Sequence, residues 1–177
     1  MNIRPATPDD AAAIAAVHVL AWRESYPGLV PDSVLAALDP ARRTEIWHAA
    51  IPRGGVFVAE DDADLVGFVA WGPQSDTALP FAAEIHALYV LRRAQWRGLG
   101  RALMGAAAAD MRQAGFHSLG LWVLDGSAPA RRFYETLGGR LCATRQDTRE
   151  GWTAHETAYG WDDLGPLCPP CVPDSQA

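Results

Sequence analysis

The feature that most constrains this chain is a succession of strand, glycine-rich loop and helix between residues 85 and 114. Residues 85–90 are an apolar run that indicates a buried strand, and residues 99–114 are rich in Ala, Leu and Met, which favours a helix. Gly98 and Gly100 stand where the helix begins, so a ligand can approach the backbone there without meeting a Cβ atom. The first N–H groups of a helix have no intrahelical partner and carry partial positive charge. The loop therefore predicts an anion-binding site.

Arginines surround this loop, and their guanidinium groups suit phosphate oxygens. They are Arg92, Arg93, Arg97 and Arg101. A P-loop is excluded because Gly100 is followed by Arg101 and Ala102 rather than by Lys and Ser or Thr. A Rossmann fingerprint is disfavoured because the loop has two glycines and lies in mid-chain, whereas the fingerprint needs three glycines after a chain-starting strand.

The pattern that remains, Gln95-x-x-Gly98-x-Gly100, resembles the acetyl-CoA pyrophosphate loop of the GNAT acetyltransferase superfamily. The segment Phe133-Tyr134-Glu135-Thr136-Leu137-Gly138 further along the chain supports the resemblance, which spans residues 2–161. It implies an α+β fold of three layers, with a mixed, mostly antiparallel sheet of about seven strands splayed into a V and flanked by about four helices. Residues 1–164 are expected to form one GNAT domain, and residues 165–177 a proline-rich tail.

Composition sets further bounds on function. A length of 177 residues suits a single domain with a real core. The formal net charge of −6 disfavours a general nucleic-acid binder, so a local arginine cluster points to a discrete anionic ligand. No apolar run approaches the length of a membrane span, the N-terminus does not resemble a signal peptide, and three cysteines make no disulfide framework. We therefore expect a cytoplasmic protein without nucleic-acid or membrane partners.

The strand before the loop carries two ionisable side chains, Glu84 and His86. Alternation with a period of two predicts that both share one face of the strand with Leu88 and Val90. Ionisable groups on a mainly apolar strand are costly unless they are paired, solvated or used in chemistry. By resemblance this face borders the substrate cleft, so Glu84 is the leading candidate for a general base acting through water, and His86 is the alternative.

The reaction that the resemblance implies is direct attack of a neutral primary amine on the thioester of acetyl-CoA, in a ternary complex and without a metal. Tyr134 matches the general acid of the family, which protonates the departing thiolate, although it also lies on the core-facing stripe of its helix. The acceptor is a small-molecule amine or a protein N-terminus. A non-catalytic acyl-CoA-binding regulatory domain is the alternative function, because Ser127 replaces the usual Asn of the family.

The resemblance also assigns contacts to both substrates. The expected cofactor-binding residues are Leu88, Tyr89, Val90, Gln95, Trp96, Arg97, Gly98, Leu99, Gly100, Arg101, Ser127 and Arg131. The acceptor is expected to contact Trp22, Tyr26 and Glu84, because the segment between the first two helices covers the acceptor in GNAT relatives. Simple packing under a loop is the alternative role for the two aromatic residues. A homodimer is left open.

Three further expectations concern the rest of the chain. His18 lies on the apolar stripe of a helix predicted over residues 9–22, which favours a packed histidine over a catalytic one. Residues 140–145 are predicted to form a strand, residues 146–151 a charged loop and residues 153–161 a closing strand. Cys168-Pro169-Pro170-Cys171 has the spacing of a redox or metal half-site, but no second cysteine pair accompanies it.

Overall fold

The computed structural model describes residues 1–149 and 151–168. In this part of the chain seven strands form one sheet in the order β1-β2-β3-β4-β5-β7-β6. The strands are β1 (Asn2–Pro5), β2 (Val56–Asp61), β3 (Asp64–Pro73), β4 (Ala83–Val90), β5 (Leu119–Leu124), β6 (Arg140–Arg149) and β7 (Trp152–Trp161). All neighbouring pairs are antiparallel except β4 and β5, which are parallel. The mixed, mostly antiparallel sheet is therefore confirmed.

Helices cover both faces of this sheet. They are α1 (Ala11–Ser25), α2 (Asp32–Ala36), α3 (Pro40–Ala50), α4 (Leu99–Gln113) and α5 (Ala128–Thr136). The described residues thus contain five helices, in agreement with the expectation of about four, and α2 is the shortest of them. A 3-10 turn at Pro8–Asp10 precedes α1, and the backbone N–H of Thr7 donates to the Asp10 carboxylate at 2.7 Å, so α1 begins slightly later than predicted.

Two apolar clusters hold these layers together. On one face Ile14 of α1 and Trp47 of α3 pack on Phe68 of β3. On the other face Leu103 and Met111 of α4 pack on the sheet. Each cluster removes a continuous apolar surface from water, which is the dominant stabilising contribution in a domain of this size.

The end of the described chain belongs to the second cluster. Leu164 and Leu167 are buried in it, so the chain stays packed on the domain through a 3-10 turn at Gly165–Leu167. The remainder of the predicted tail, including Cys171 of the predicted half-site, lies outside the described residues.

The sheet opens between β4 and β5. These strands pair only where Ala83 meets Leu119 and Glu84 meets Gly120. Along residues 85–90 and 121–124 the two facing edges have no strand partner among the described residues, although each strand remains paired on its other side. The sheet is therefore split into two halves that separate like the arms of a V, as expected.

Strand β4 contains a β-bulge that the sequence analysis did not foresee. The adjacent residues Ala70 and Trp71 of β3 pair with Ala87 and Ile85, so His86 between them has no partner of its own. An extra residue of this kind reverses the alternation of side chains beyond it.

Because of this bulge, the prediction that Glu84 shares one face of β4 with Leu88 and Val90 is wrong. Ile85 packs in the cluster beneath α4, whereas Ala87 packs in the cluster beneath α1 and α3. Leu88 and Val90 pack against the α4 cluster, on the side of Ile85. Glu84 alternates with Ile85 and therefore faces the α1 side, away from Leu88 and Val90.

Strand β6 is longer than predicted. It continues through Arg149, so a loop over residues 146–149 is wrong. Cross-strand pairs extend along this part of the β6–β7 hairpin, with Gln146 opposite His155 and Thr148 opposite Thr153. Charged side chains suggested a loop, but opposite charges on paired strands stabilise a hairpin.

Candidate active site

A cleft of about 1100 Å³ fills the opening between the two halves of the sheet. The C-terminal end of α1, the splayed strands β4 and β5, the start of α4, the helix α5 and the β6–β7 hairpin all contribute to its walls. Most predicted site residues line it. These are Trp22, Tyr26, Glu84, His86, Leu88, Tyr89, Val90, Gln95, Trp96, Gly98, Leu99, Gly100, Arg101, Ser127 and Tyr134.

The loop between β4 and α4 forms one end of the cleft. Gly98 is the N-cap of α4 with φ +84°, and the bond from the Ala102 N–H to the Gly98 carbonyl is the first of the helix. The N–H groups of residues 98–101 therefore have no intrahelical partner. Trp96 also has a left-handed backbone, and its side chain is 91% exposed at the rim of the cleft. The loop thus presents a row of backbone donors to an anion.

The two glycines of the loop differ in what their missing side chains permit. A Cβ atom at Gly98 would meet nothing within 4 Å, so this position is open. A Cβ atom at Gly100 would lie 3.1 Å from Cζ of Phe133 in α5. The close packing of α4 on α5 therefore leaves little room for a side chain at position 100. The absence of a Cβ atom there also lets a ligand approach the backbone closely.

Hydrogen bonds of two side chains, one in the loop and one at the end of α1, hold the loop in place. The side-chain amide of Gln95 donates to the Val90 carbonyl at 2.9 Å, and the Glu24 carboxylate accepts from the backbone N–H of Arg92 at 2.8 Å. Within the described residues Arg101 makes no hydrogen bond or ion pair, so its charge is available to a ligand.

Two predicted contacts lie elsewhere, since Arg97 and Arg131 are not among the described residues that line the cleft. The guanidinium of Arg97 pairs with Asp61 at 2.5 Å. That of Arg131 pairs with Asp125 at 2.8 Å and donates to the hydroxyl of Tyr159 at 3.3 Å. Both arginines thus have protein partners, which leaves the cleft-lining Arg101 as the better-placed cation.

The structure brings the two candidate bases together. The Glu84 carboxylate accepts from the Ser75 hydroxyl at 3.2 Å and lies 3.7 Å from Nδ1 of His86. The Glu84 side chain is 12% exposed, whereas that of His86 is 44% exposed because the bulge turns it outward. A carboxylate that is sheltered yet within reach of the cleft can accept a proton directly or through water.

Tyr134 lies on the wall formed by α5. Its ring packs near those of Phe133, Tyr159 and Trp161 and is almost buried. Burial raises the pKa of its phenol, with a further contribution from Tyr89, so the hydroxyl remains protonated at neutral pH. Within the described residues this hydroxyl has no hydrogen-bond partner, which leaves its proton available to a substrate.

Aromatic side chains of α1 and β4 form the opposite wall. The hydroxyl of Tyr26 donates to that of Tyr89 at 3.3 Å, and Trp22 packs edge-on against Tyr26 with ring centroids 5.2 Å apart. His18 stacks on Tyr89 behind this wall and accepts from Nε1 of Trp47 at 3.3 Å. Burial lowers the pKa of His18 to about 3, with a smaller effect of a nearby arginine, so it is a neutral packed histidine as expected.

The sequence analysis missed the charged residues that the β6–β7 hairpin contributes to the cleft. Arg145, Arg149 and Glu156 line it from the β6–β7 hairpin. The available signal was the alternation of Arg145, Asp147 and Arg149 with a period of two, which is typical of a strand with one charged face. In the described residues no group of three or more potential metal ligands occurs, and none of the helices there has the length and apolar character needed to cross a membrane.

Comparison with known proteins agrees with this geometry. Residues 15–138 match the Acetyltransferase (GNAT) family. The chain belongs to the GNAT acetyltransferase family. An uncharacterised N-acetyltransferase of Bacillus subtilis, YuaI, is 32% identical to this GNAT protein over 168 residues, which cover 94% of this chain and 96% of YuaI.

Solved GNAT structures share the fold. PaiA N-acetyltransferase of Thermoplasma acidophilum, in complex with coenzyme A, has a TM-score of 0.72 at 18% identity and covers 90% of this chain and 98% of its own. The acetyltransferase yncA of Salmonella typhimurium, solved with acetyl-CoA, has a TM-score of 0.70 at 22% identity and covers 99% of both chains. The GNAT protein described here is therefore an acetyl-CoA-dependent N-acetyltransferase rather than a non-catalytic acyl-CoA-binding domain.

Proposed function

We propose that this enzyme transfers the acetyl group of acetyl-CoA to a primary amine by direct attack in a ternary complex, the amine being a small molecule or a protein N-terminus. One observation carries the proposal. A single cleft joins the free N–H groups at the start of α4 to the unpartnered hydroxyl of Tyr134 and the sheltered carboxylate of Glu84. Residues 1–164 are proposed to form the catalytic domain and the protein to act in the cytoplasm.

The residues of the cleft suit the parts of acetyl-CoA. The N–H groups of residues 98–101 and the free guanidinium of Arg101 would receive the pyrophosphate. The edge of β4 at Leu88 and Val90, which has no strand partner among the described residues, offers backbone groups to an extended arm in the way a further strand would use them, although the Val90 carbonyl already accepts from Gln95. Ser127 lies at the start of α5 and lines the same cleft, although it cannot supply the amide of the usual Asn.

Glu84 is proposed to remove the proton of the acceptor amine. An alkyl amine with a pKa near 10.4 costs about 4.6 kcal/mol to deprotonate at pH 7, whereas an α-amine with a pKa near 8 costs about 1.4 kcal/mol. A positioned base therefore matters most for alkyl amines. Because His86 lies 3.7 Å from Glu84, it can orient the carboxylate or relay the proton to solvent.

Tyr134 is proposed to donate a proton to the departing thiolate. Because burial raises the pKa of its phenol, Tyr134 retains this proton at any pH where the enzyme would work. Trp22 and Tyr26 would cover the acceptor from the α1 side of the cleft.

The test is release of free thiol from acetyl-CoA in the presence of a panel of amines. We expect Tyr134→Phe to lower turnover on an active amine by about 10- to 1000-fold, the range for loss of a positioned proton donor. Its affinity for CoA, measured by calorimetry, should be unchanged because only the hydroxyl is removed. Tyr159→Phe is the matched control, since the Tyr159 hydroxyl bonds to Glu135 at 2.6 Å outside the cleft lining. Equal turnover of the wild type and Tyr134→Phe would show that Tyr134 only packs.

A further inference from the structure

Two arginines of β6 share one wall of the cleft. Arg145 and Arg149 are four residues apart on the strand, so their side chains project from the same face. Nε of Arg145 donates to one carboxylate oxygen of Glu156 at 2.8 Å, and Nη2 of Arg149 donates to the other at 2.7 Å. Because Glu156 is held on β7 and almost buried, it sets the position of both guanidinium groups.

Further groups hold the same arginines from the other side. Asp76 pairs with Nη1 of Arg145, and the ring of Trp122 lies 4.1 Å from the guanidinium carbon of Arg145. Asp147 accepts from Nε of Arg149 at 2.7 Å. Among the described residues, the two aspartates do not line the cleft. They therefore orient the arginines without competing for a ligand inside it.

Each guanidinium keeps one nitrogen without a partner. Within the described residues, Nη2 of Arg145 and Nη1 of Arg149 make no hydrogen bond. The side chains of Arg145 and Arg149 are 31% and 37% exposed, whereas that of Glu156 is 7% exposed. The wall thus carries fixed, unused donors, and the carboxylate that holds them is much less exposed than the arginines. Two fixed guanidinium donors suit a carboxylate, because charge-assisted bonds of this kind are strong and directional.

This wall belongs to the same cleft as the groups proposed to carry out the reaction. Arg145 and Arg149 line the same cleft as Tyr26, Tyr89 and Tyr134. Glu84 on β4 lines it as well, so the candidate base, the candidate acid and the two arginines all border one cavity.

We infer that the acceptor is an amine that also carries a carboxylate, such as an amino acid, and that Arg145 and Arg149 bind this carboxylate while Glu84 faces the amine. The inference rests on the proposed function and narrows its acceptor class. A cationic acceptor, such as a diamine, is the opposite outcome, because an ammonium group cannot accept hydrogen bonds from the unused N–H groups of Arg145 and Arg149.

The test compares acceptors that share a primary amine and differ only in the group at the other end of the molecule, which is a carboxylate, an amide or a second amine. 4-Aminobutanoate is paired with 4-aminobutanamide, β-alanine with β-alaninamide, and glycine with glycinamide, and 1,4-diaminobutane is the cationic member. Thiol release gives kcat/KM, expressed per neutral amine so that differences in amine pKa cancel. We expect at least one carboxylate to exceed its amide by about 10- to 100-fold, the effect of a charge-assisted hydrogen bond.

Variants of β6 test whether its arginines cause the preference for acceptors that carry a carboxylate. In Arg149→Gln the ratio of kcat/KM for a carboxylate to kcat/KM for its amide should fall to about 1. Most of this change should come from a higher KM for the carboxylate. Arg140→Gln is the matched control, because Arg140 lies on the same strand but pairs with Asp162 away from the cleft. Its ratio should equal that of the wild type.

Two results would overturn the inference. One is turnover of amines with no preference for any carboxylate, or with 1,4-diaminobutane as the best acceptor. The other is an equal carboxylate-to-amide ratio in Arg149→Gln and the wild type.

Calorimetric titration of the same compounds into CoA-loaded protein distinguishes failure of this inference from failure of the proposed function. Carboxylate binding that depends on Arg149, without thiol release, would keep the ligand class and reject acetyl transfer. Neither binding nor thiol release would reject both.

Discussion

Replacing Gly98 tests the electrostatic role of the α4 N-terminus with little steric disturbance. Gly98 is the N-cap of α4, and a Cβ atom there would meet nothing within 4 Å. Its φ of +84° makes any side chain strained by about 1–2 kcal/mol, and Asn and Asp tolerate this conformation best. Gly98→Asp and Gly98→Asn share this strain and differ in one charge. Comparing them isolates the charge.

The expected size of the effect follows from Coulomb's law. A carboxylate at Gly98 would lie beside the N–H groups of residues 98–101, where the phosphate is proposed to bind. Two unit charges about 6 Å apart repel by about 1–3 kcal/mol at an effective dielectric constant of about 20–60. We therefore expect Gly98→Asp to bind CoA about 10- to 100-fold more weakly than Gly98→Asn.

Calorimetric titration of CoA into both variants measures this difference. The two proteins should have similar melting temperatures, because the strain is common to both and Asp and Asn are equally good N-caps. The difference in affinity should shrink at high salt, which screens surface charges. Equal affinity of the two variants at low salt would refute the anion site at the start of α4, as would a difference that is independent of salt.

Two further predictions concern titratable groups. Glu84→Gln should lower turnover more for an alkyl amine than for an α-amine, because the alkyl amine costs more to deprotonate, and part of the loss should be recovered as pH rises. Superimposable pH–rate profiles of variant and wild type would instead assign Glu84 to structure. The pKa of His18 is 6.5 in the unfolded chain and about 3 in the folded protein. Below pH 6.5 the unfolded state therefore binds more protons than the folded state. The free energy of unfolding should then fall by up to about 1.4 kcal/mol per pH unit as the pH drops below 6.5. Denaturant unfolding of His18→Gln should show a shallower slope between pH 6.5 and 4.5, and an equal slope would contradict this origin.

Features that depend on neighbouring residues could be predicted from the sequence. The strand, the glycine loop and α4 were foreseen because apolar periodicity and the positions of Gly98 and Gly100 are local signals. The helix of Tyr134 was foreseen for the same reason, and its place in the cleft came from the resemblance of Phe133-Tyr134 to a family motif. Roles in the chemistry stay predictions until the variants are measured.

The tertiary structure decided what depends on contacts between distant residues. The bulge at His86 arises from the register of β4 against β3, which no local pattern reveals, and it moves Glu84 to the face opposite Leu88 and Val90. The constraint on Gly100 comes from Phe133 of a later helix.

The arginine wall shows the same division between local signal and tertiary contact. Read locally, residues 146–151 are a charged loop, because charged residues are depleted in strands. In the fold Glu156 pairs with Arg145 and Arg149 across the hairpin, and both arginines line the same cleft as α1 and β4 because the sheet splays into a V. The sequence alone therefore predicted where an anion would bind, since helix-terminal N–H groups belong to one short segment. Only tertiary packing decided which side chains line the cleft where the acceptor is proposed to bind, since they come from α1, β4 and the β6–β7 hairpin, which are far apart in the chain.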